Sequence, residues 1–262
     1  RINGSSIGRG VNVAQQRSMS ELLIDVGNSA AKWAVCHGLN LKSQRHSGSF
    51  SDLAEAMWTA AKDDSTVWIA SVRDEQSDQV LVSELHAVGF SNVHLCGTAQ
   101  KEDGLLNSYA EPSRMGADRW FAMLGARAFK RGPLLVIDAG SAVTCDLVAG
   151  DGRHLGGYIF PGPALMEAAL QSSTQKVRYS DSLKLALDPG QSTAECVASG
   201  ISVAVLGAIK QVCDQYPAHH VIFTGGAASG LNAVGLVGDW RPDLVLEGLL
   251  SRARGTEVAF AT

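Results

Sequence analysis

Asp25 and Asp138 each close a short apolar run and stand two residues ahead of a glycine, in LLIDVGNSAAK (22–32) and LLVIDAGSAVTCD (134–146). A carboxylate, a glycine and small hydroxyl residues at the mouth of a strand are the parts of a phosphate or metal site. Glycine admits backbone amides to an anion, hydroxyls such as those of Ser141 and Thr144 add donors, and the carboxylate holds a cation that neutralises the anion. Aligning the two stretches sets Leu23 on Val136, Asp25 on Asp138, Gly27 on Gly140 and Asn28 on Ser141. The offset is about half the chain, as a duplicated nucleotide-binding unit would give. Two such turns facing each other across a cleft would clamp a polyphosphate. Asp118 and Arg119 add a second chemistry: transfer to a hydroxyl needs a carboxylate to orient or accept its proton, and an adjacent guanidinium can hold a substrate carboxylate by a two-pronged contact. The plain alternatives are strand-end turn formers for Asp25 and Asp138 and a first-turn helix carboxylate for Asp118.

The elements that must position these residues follow from periodicity. Short spacings predict strands over 21–25, 32–36 and 44–46 as an antiparallel meander around a Gly/Asn/Lys turn. Asp52 ahead of an apolar-periodic run predicts a capped helix through about Lys62. Strand 67–72, helix 77–87 and strand 93–95 come next, an alternation that builds a mixed sheet with helices on its faces. The polar stretch 97–114 reads as a long loop, and loops of that length inside a compact domain are usually functional or mobile. A helix over 116–129 carries Asp118 and Arg119 in its first turn. Behind the central strand, 145–148 and 158–160 repeat the first meander. A helix after GGYIFPG, a long apolar helix over 193–216, strand 221–223, a Thr224-Gly225-Gly226 turn feeding a helix near Ala228, and a final helix over 242–254 complete the chain.

With 262 residues, 45 % of them apolar and 18 % charged, the chain is long enough for two modest domains. A formal net charge of −4 gives no general electrostatic case for nucleic acid or membrane binding, and neither partner is expected. Apolar runs fall short of membrane-spanning length and the amino terminus has no secretory hydrophobic core, so the expected location is the cytoplasm. Cys36, Cys96, Cys145, Cys196 and Cys213 are odd in number without CxxC spacing, which favours buried, reduced thiols over a metal or disulfide framework. His219 and His220 have no third ligand at metal spacing and read as structural. Val203, Leu206, Ile209 and Val212 form a core or dimer stripe. Residues 1–18 read as a dispensable extension, with Met19 a plausible start.

Taken together the motifs resemble the type III pantothenate kinases, the family that includes the Bvg accessory factor proteins. The blocks are DVGNSAAK (25–32), NSYAEP with GADR (107–119), DAGSAVTCD (138–146), GGYIFPG (156–162), STAECVASG (192–200), TGG (224–226) and PDLVLEGL (242–249). Each is common alone, whereas the ordered series is specific. The resemblance implies an α/β fold of duplicated actin, hexokinase and Hsp70-like (ribonuclease H-like) domains with mixed sheets and a cleft between them, divided here into 19–115 and 116–262. It implies ATP-dependent phosphorylation of pantothenate to 4′-phosphopantothenate in coenzyme A synthesis. It further implies Mg2+, a monovalent cation (K+ or NH4+) and a homodimer.

Carried over by position, Asp25, Val26, Gly27, Asn28, Ser29, Ala30, Ala31 and Lys32 resemble the ATP phosphate loop, and Ser141 a further ATP contact. Asp138 matches the potassium ligand. Tyr109, Gly116, Ala117, Asp118, Arg119 and Thr193 match pantothenate-contacting positions, with Asp118 the proton acceptor. Ser29 and Ser141 stand where the family usually has threonine, keeping the hydroxyl and losing a methyl. The alternative is a nucleotide-binding accessory regulator of the same family with little or no kinase activity.

Overall fold

The computed structural model describes residues 20–37, 40–61, 65–173, 186–226 and 236–255. The extension 1–18, the start at Met19, the helix end at Lys62 and the helix near Ala228 lie outside them.

The first half forms one five-stranded sheet. Strands β1 (Glu21–Val26), β2 (Ala31–His37) and β3 (Asn40–His46) are antiparallel neighbours, and β4 (Thr66–Ser71) and β5 (Asn92–Leu95) add in parallel, in the order β3-β2-β1-β4-β5. Strand alternation in β1 sends Leu22, Ile24 and Val26 to one face, against Leu53 and Met57 of α1 (Phe50–Ala61) and Leu81 and Leu85 of α2 (Glu75–Val88). Leu23, and Asp25 after it, point to the other face. Helix α1 starts earlier than the sequence suggests. Ser49 is its cap, its Oγ accepting from Asp52 N at 3.1 Å while the Asp52 carboxylate accepts from Ser49 Oγ at 2.7 Å, so Asp52 is the reciprocal partner of a capping box.

The second half repeats the plan. Strands β8 (Leu134–Ala139), β9 (Ala142–Val148) and β10 (His154–Pro161) form the meander, and β11 (His220–Thr224) and β12 (Asp239–Trp240) add in parallel, giving β10-β9-β8-β11-β12. Between the halves, the 97–114 stretch is not bare loop. It carries a small hairpin, β6 (Lys101–Glu102) with β7 (Leu105–Leu106), and a 3-10 turn at Pro112–Arg114. These pairs are too short to give a period in sequence.

Helix α3 (Ala117–Phe129) and helix α6 (Leu244–Arg254) cross tightly in the layer between the two sheets. A side chain at Gly125 would strike the Leu244 carbonyl, and one at Gly248 the Phe121 carbonyl. Leu23 from the first sheet, Leu134 and Val136 from the second, and Trp120, Leu124, Leu246 and Leu249 from the helices share one core. On the outer face of the second sheet, α4 (Pro163–Ser173) and α5 (Thr193–Gln215) cover Leu135, Ile137 and Phe223. By length and composition α5 could cross a membrane, contrary to the sequence reading. Its buried stripe of Ile201, Val205, Ile209 and Val212 packs on the sheet instead, and Val203 faces outward.

Candidate active site

Residues two apart on a strand share a face, so Asp25 follows Leu23 and Asp138 follows Val136 toward the layer that holds α3 and α6. Asp118, in the first turn of α3, reaches the same place. The three carboxylates line one cavity of about 630 Å3, with the β1–β2 turn on one side and the β8–β9 turn on the other. Ser29 Oγ and Ser141 Oγ lie 3.2 Å apart, so turn meets turn across the mouth.

The two turns close on their own glycine amides. Gly27 N donates to Ala30 O and Gly140 N to Ala142 O, each at 3.0 Å, closing the two turns. The hydroxyls of Ser29 and Ser141 and the remaining turn backbone are what the cleft presents. Val26 is not brought to the cavity, since its side chain is in the outer core between the first sheet and its helices. Gly27, Asn28, Ser29, Ala30, Ala31 and Lys32 all line the cavity. Lys32 lies opposite Asp25 in the β1–β2 register, donates from Nζ to the Pro242 carbonyl and sits 3.5 Å from Asp243 Oδ1. It thereby joins the first sheet to the start of α6.

Burial raises Asp25 to about 7, with the charges of Asp138 and Asp118 adding and Lys32 opposing. Burial likewise raises Asp138 to about 7, with Asp118 adding and Lys32 opposing. Asp118 is raised by burial, against the Arg119 backbone N–H and its charge; that N–H donates to Asp118 Oδ1 at 2.7 Å. The folded chain therefore keeps protons on Asp25 and Asp138 that the unfolded chain releases near 3.8. Stability linked to this pair is present in acid and lost as pH rises through about 7. Cation-free protein should show a melting temperature that falls from about pH 5 to about pH 8. A melting temperature that rises over this range in chelator would contradict the burial of these carboxylates.

Behind Asp118 lies a buried polar chain that the sequence does not announce. Arg119 donates from Nε to Asp146 Oδ2 at 2.9 Å and from Nη2 to Oδ1 at 2.5 Å, and from Nη1 to Tyr109 Oη at 2.8 Å. His154 Nε2 lies 3.0 Å from Asp146 Oδ1, and its Nδ1 lies 2.8 Å from Ser108 Oγ. This corrects the expectation of a free fork at Arg119, whose two-pronged contact is already made to Asp146. Its part is to hold Tyr109 and the 107–109 segment against α3. Gly116 caps α3 without a side chain, and any Cβ there would lie 2.4 Å from Asp118 Oδ1. Ala117 is buried beside it.

Thr193 is not brought to this cleft. It is exposed at the start of α5, where Ser192 is the cap, accepting from Glu195 N at 3.2 Å. The second half adds residues that the motif reading left without a role: Gly225 and Gly226 after β11, with Thr224, and Asp243 before α6. Gly225 has φ +88, and a Cβ there would lie 2.3 Å from Asp138 Oδ1, so only glycine leaves this carboxylate open to the cleft. The signal for Asp146 was a carboxylate inside the apolar alternation Val143, Cys145, Leu147.

Among the described residues no group of three His, Cys, Asp or Glu has a metal-cage geometry. The donor set still fits a hard cation, because a cation beside Asp25 and Asp138 would favour the charged form of two carboxylates that burial and neighbouring carboxylates hold up near 7.

A sequence profile described as type III pantothenate kinase matches residues 21–215. A type III pantothenate kinase from Marinobacter nauticus is 36 % identical over 234 residues, covering 87 % of this chain and 96 % of the relative. Among solved structures, a protein described as a Baf family transcriptional activator from Campylobacter jejuni superposes with a TM-score of 0.58 at 21 % identity, covering 89 % of this chain and 97 % of that one. The activator of 2-hydroxyisocaproyl-CoA dehydratase from Clostridium difficile, with bound ADPNP, gives 0.54 at 12 % identity, covering 90 % and 96 %. These likenesses show the actin, hexokinase and Hsp70-like fold.

Proposed function

The chain belongs to the type III pantothenate kinase family, and from that membership we propose a reading of its cleft in which ATP lies in the cavity that the two hairpin turns line and pantothenate meets it at Asp118. The protein transfers a phosphoryl group from ATP to the hydroxyl of pantothenate, giving 4′-phosphopantothenate for coenzyme A biosynthesis. The observation that carries the residue assignment is the convergence of Asp25, Asp118 and Asp138, from two sheets and the helix between them, on one cavity.

Phosphoryl transfer asks a protein for positioning and charge stabilisation. Ser29 and Ser141 donate their hydroxyls to phosphate oxygens from opposite turns. Asp118 takes the proton of the attacking hydroxyl, and its raised pKa brings it nearer the operating pH, as a general base requires. Arg119, fixed by Asp146, holds Tyr109 toward the substrate. Asp25 would hold the magnesium of the nucleotide and Asp138 a monovalent cation, potassium or ammonium; these ions supply neutralisation of phosphate charge.

A homodimer is supported by the apolar side chains left outside on the second half, with Leu155 at 48 %, Ile159 at 61 %, Leu165 at 49 % and Val203 at 56 % exposure along β10, α4 and α5. Pairing through this face is the arrangement in which Thr193 could serve a substrate site despite its distance from its own cleft. The repeated sheets support division near residue 115, with α6 laid back against the first half. Cytoplasmic location belongs to the same reading.

The test is initial rate against potassium at fixed ionic strength, which separates a specific site from screening. Wild type should be slow in sodium alone and faster with potassium or ammonium. Asp138→Ala should lose most of that response, while Asp25→Ala weakens magnesium-nucleotide binding. Equal activation of wild type and Asp138→Ala would sink the assignment of Asp138.

A further inference from the structure

Among the described residues, Lys32 and Arg45 are the two cationic side chains lining the cleft, against four aspartates, Asp25, Asp118, Asp138 and Asp243. Lys32 is engaged with Pro242 and Asp243. The Arg45 side chain has no hydrogen bond or ion pair among the described residues and is exposed.

Its position is set by the sheet. Asp25 pairs with Lys32 in the β1–β2 register and Lys32 pairs with Arg45 in the β2–β3 register. Residues directly opposite on neighbouring strands share a face, so the three side chains form a row, with Arg45 about 10 Å from Asp25 by strand spacing. At the far end of that row the guanidinium reaches over the cleft. Its Nη1 lies 3.5 Å from where a Cβ of Gly226 would be, so it faces the glycine turn after β11 in the opposite half.

We propose that Arg45 binds the phosphates of the nucleotide that are not transferred, the α- and β-phosphates. This deepens the nucleotide reading of the cleft and rests on it. The transferred phosphate must lie near Asp118, where the carboxylates converge, and the rest of the polyphosphate then runs outward along the cleft. A guanidinium is suited to that place, because its planar set of donors grips phosphate oxygens in pairs. With the phosphates in place, Arg45 links the β3 edge of the first sheet through the nucleotide to the Thr224–Gly226 turn of the second. No signal in the sequence marks the residue, since an arginine on an outer strand is ordinarily a solvated one.

Calorimetric binding of ADP and of adenosine to wild type, Arg45→Ala and Arg45→Lys tests this, together with KM for ATP and for pantothenate. For Arg45→Ala, ADP affinity and KM for ATP should worsen by about tenfold, the order of one charge-assisted phosphate contact, while adenosine affinity and KM for pantothenate stay within about twofold. Arg45→Lys should recover part of the loss. Wild-type ADP affinity in Arg45→Ala, or equal loss of ADP and adenosine, overturns the proposal. Failure of wild type to bind ADP would instead refute the nucleotide reading of the cleft.

Discussion

Asp118→Asn is expected to fold, bind ADP as wild type does, and turn over at least about a hundredfold more slowly. The substitution is isosteric and keeps an oxygen that can accept the Arg119 backbone N–H, which now donates to Asp118 Oδ1 at 2.7 Å. What it removes is the capacity to take a proton. Among the described residues no other carboxylate replaces it, because Asp25 and Asp138 end strands on the two hairpin turns while Asp118 comes from the helix beside Tyr109 and Arg119. Single-turnover rates with calorimetric ADP binding check this, and near-normal turnover would remove Asp118 from the chemistry.

Asp146→Ala should be the more damaging change to the fold. Asp146 is 1 % exposed and Arg119 6 %, and removing the carboxylate leaves a buried guanidinium and a fully buried His154 side chain without their acceptor. Breaking a buried pair from one side typically costs about 3–5 kcal/mol. Urea unfolding should show a loss of that order, and in any folded fraction the KM for pantothenate should rise, since Tyr109 loses the Arg119 that holds it. Asp146→Asn keeps an acceptor and should fall between. A stability within about 1 kcal/mol of wild type would show that the Arg119 charge is solvated in solution rather than paired.

Much of the architecture was legible because it repeats. The Asp-x-Gly turns, the meanders and the parallel strands after them follow from local period, and the two sheets have the same order. Asp118 was legible through its neighbour and its helix start. The Arg119 fork was misread because its partner is 27 residues away on β9, and only the packing of α3 on the second sheet decides which carboxylate it meets. Arg45, and the part that Gly225 plays beside Asp138, were hidden for related reasons. One depends on a strand register and the other on a backbone angle beside Asp138, and neither leaves a periodic trace. Thr193 illustrates the opposite case, a position carried over from the family whose side chain lies outside the cleft of its own chain. The length of α5 shows that apolar composition alone does not separate a core helix from a membrane span.

The most direct measurement incubates the protein with ATP, magnesium, potassium and pantothenate, and follows pantothenate by mass spectrometry alongside ADP. Pantothenate should gain one phosphoryl group for each ADP released, and ADP should not accumulate when pantothenate is omitted. Recovery of unmodified pantothenate from protein that binds ATP would contradict the account and leave a nucleotide-binding regulator on a kinase fold.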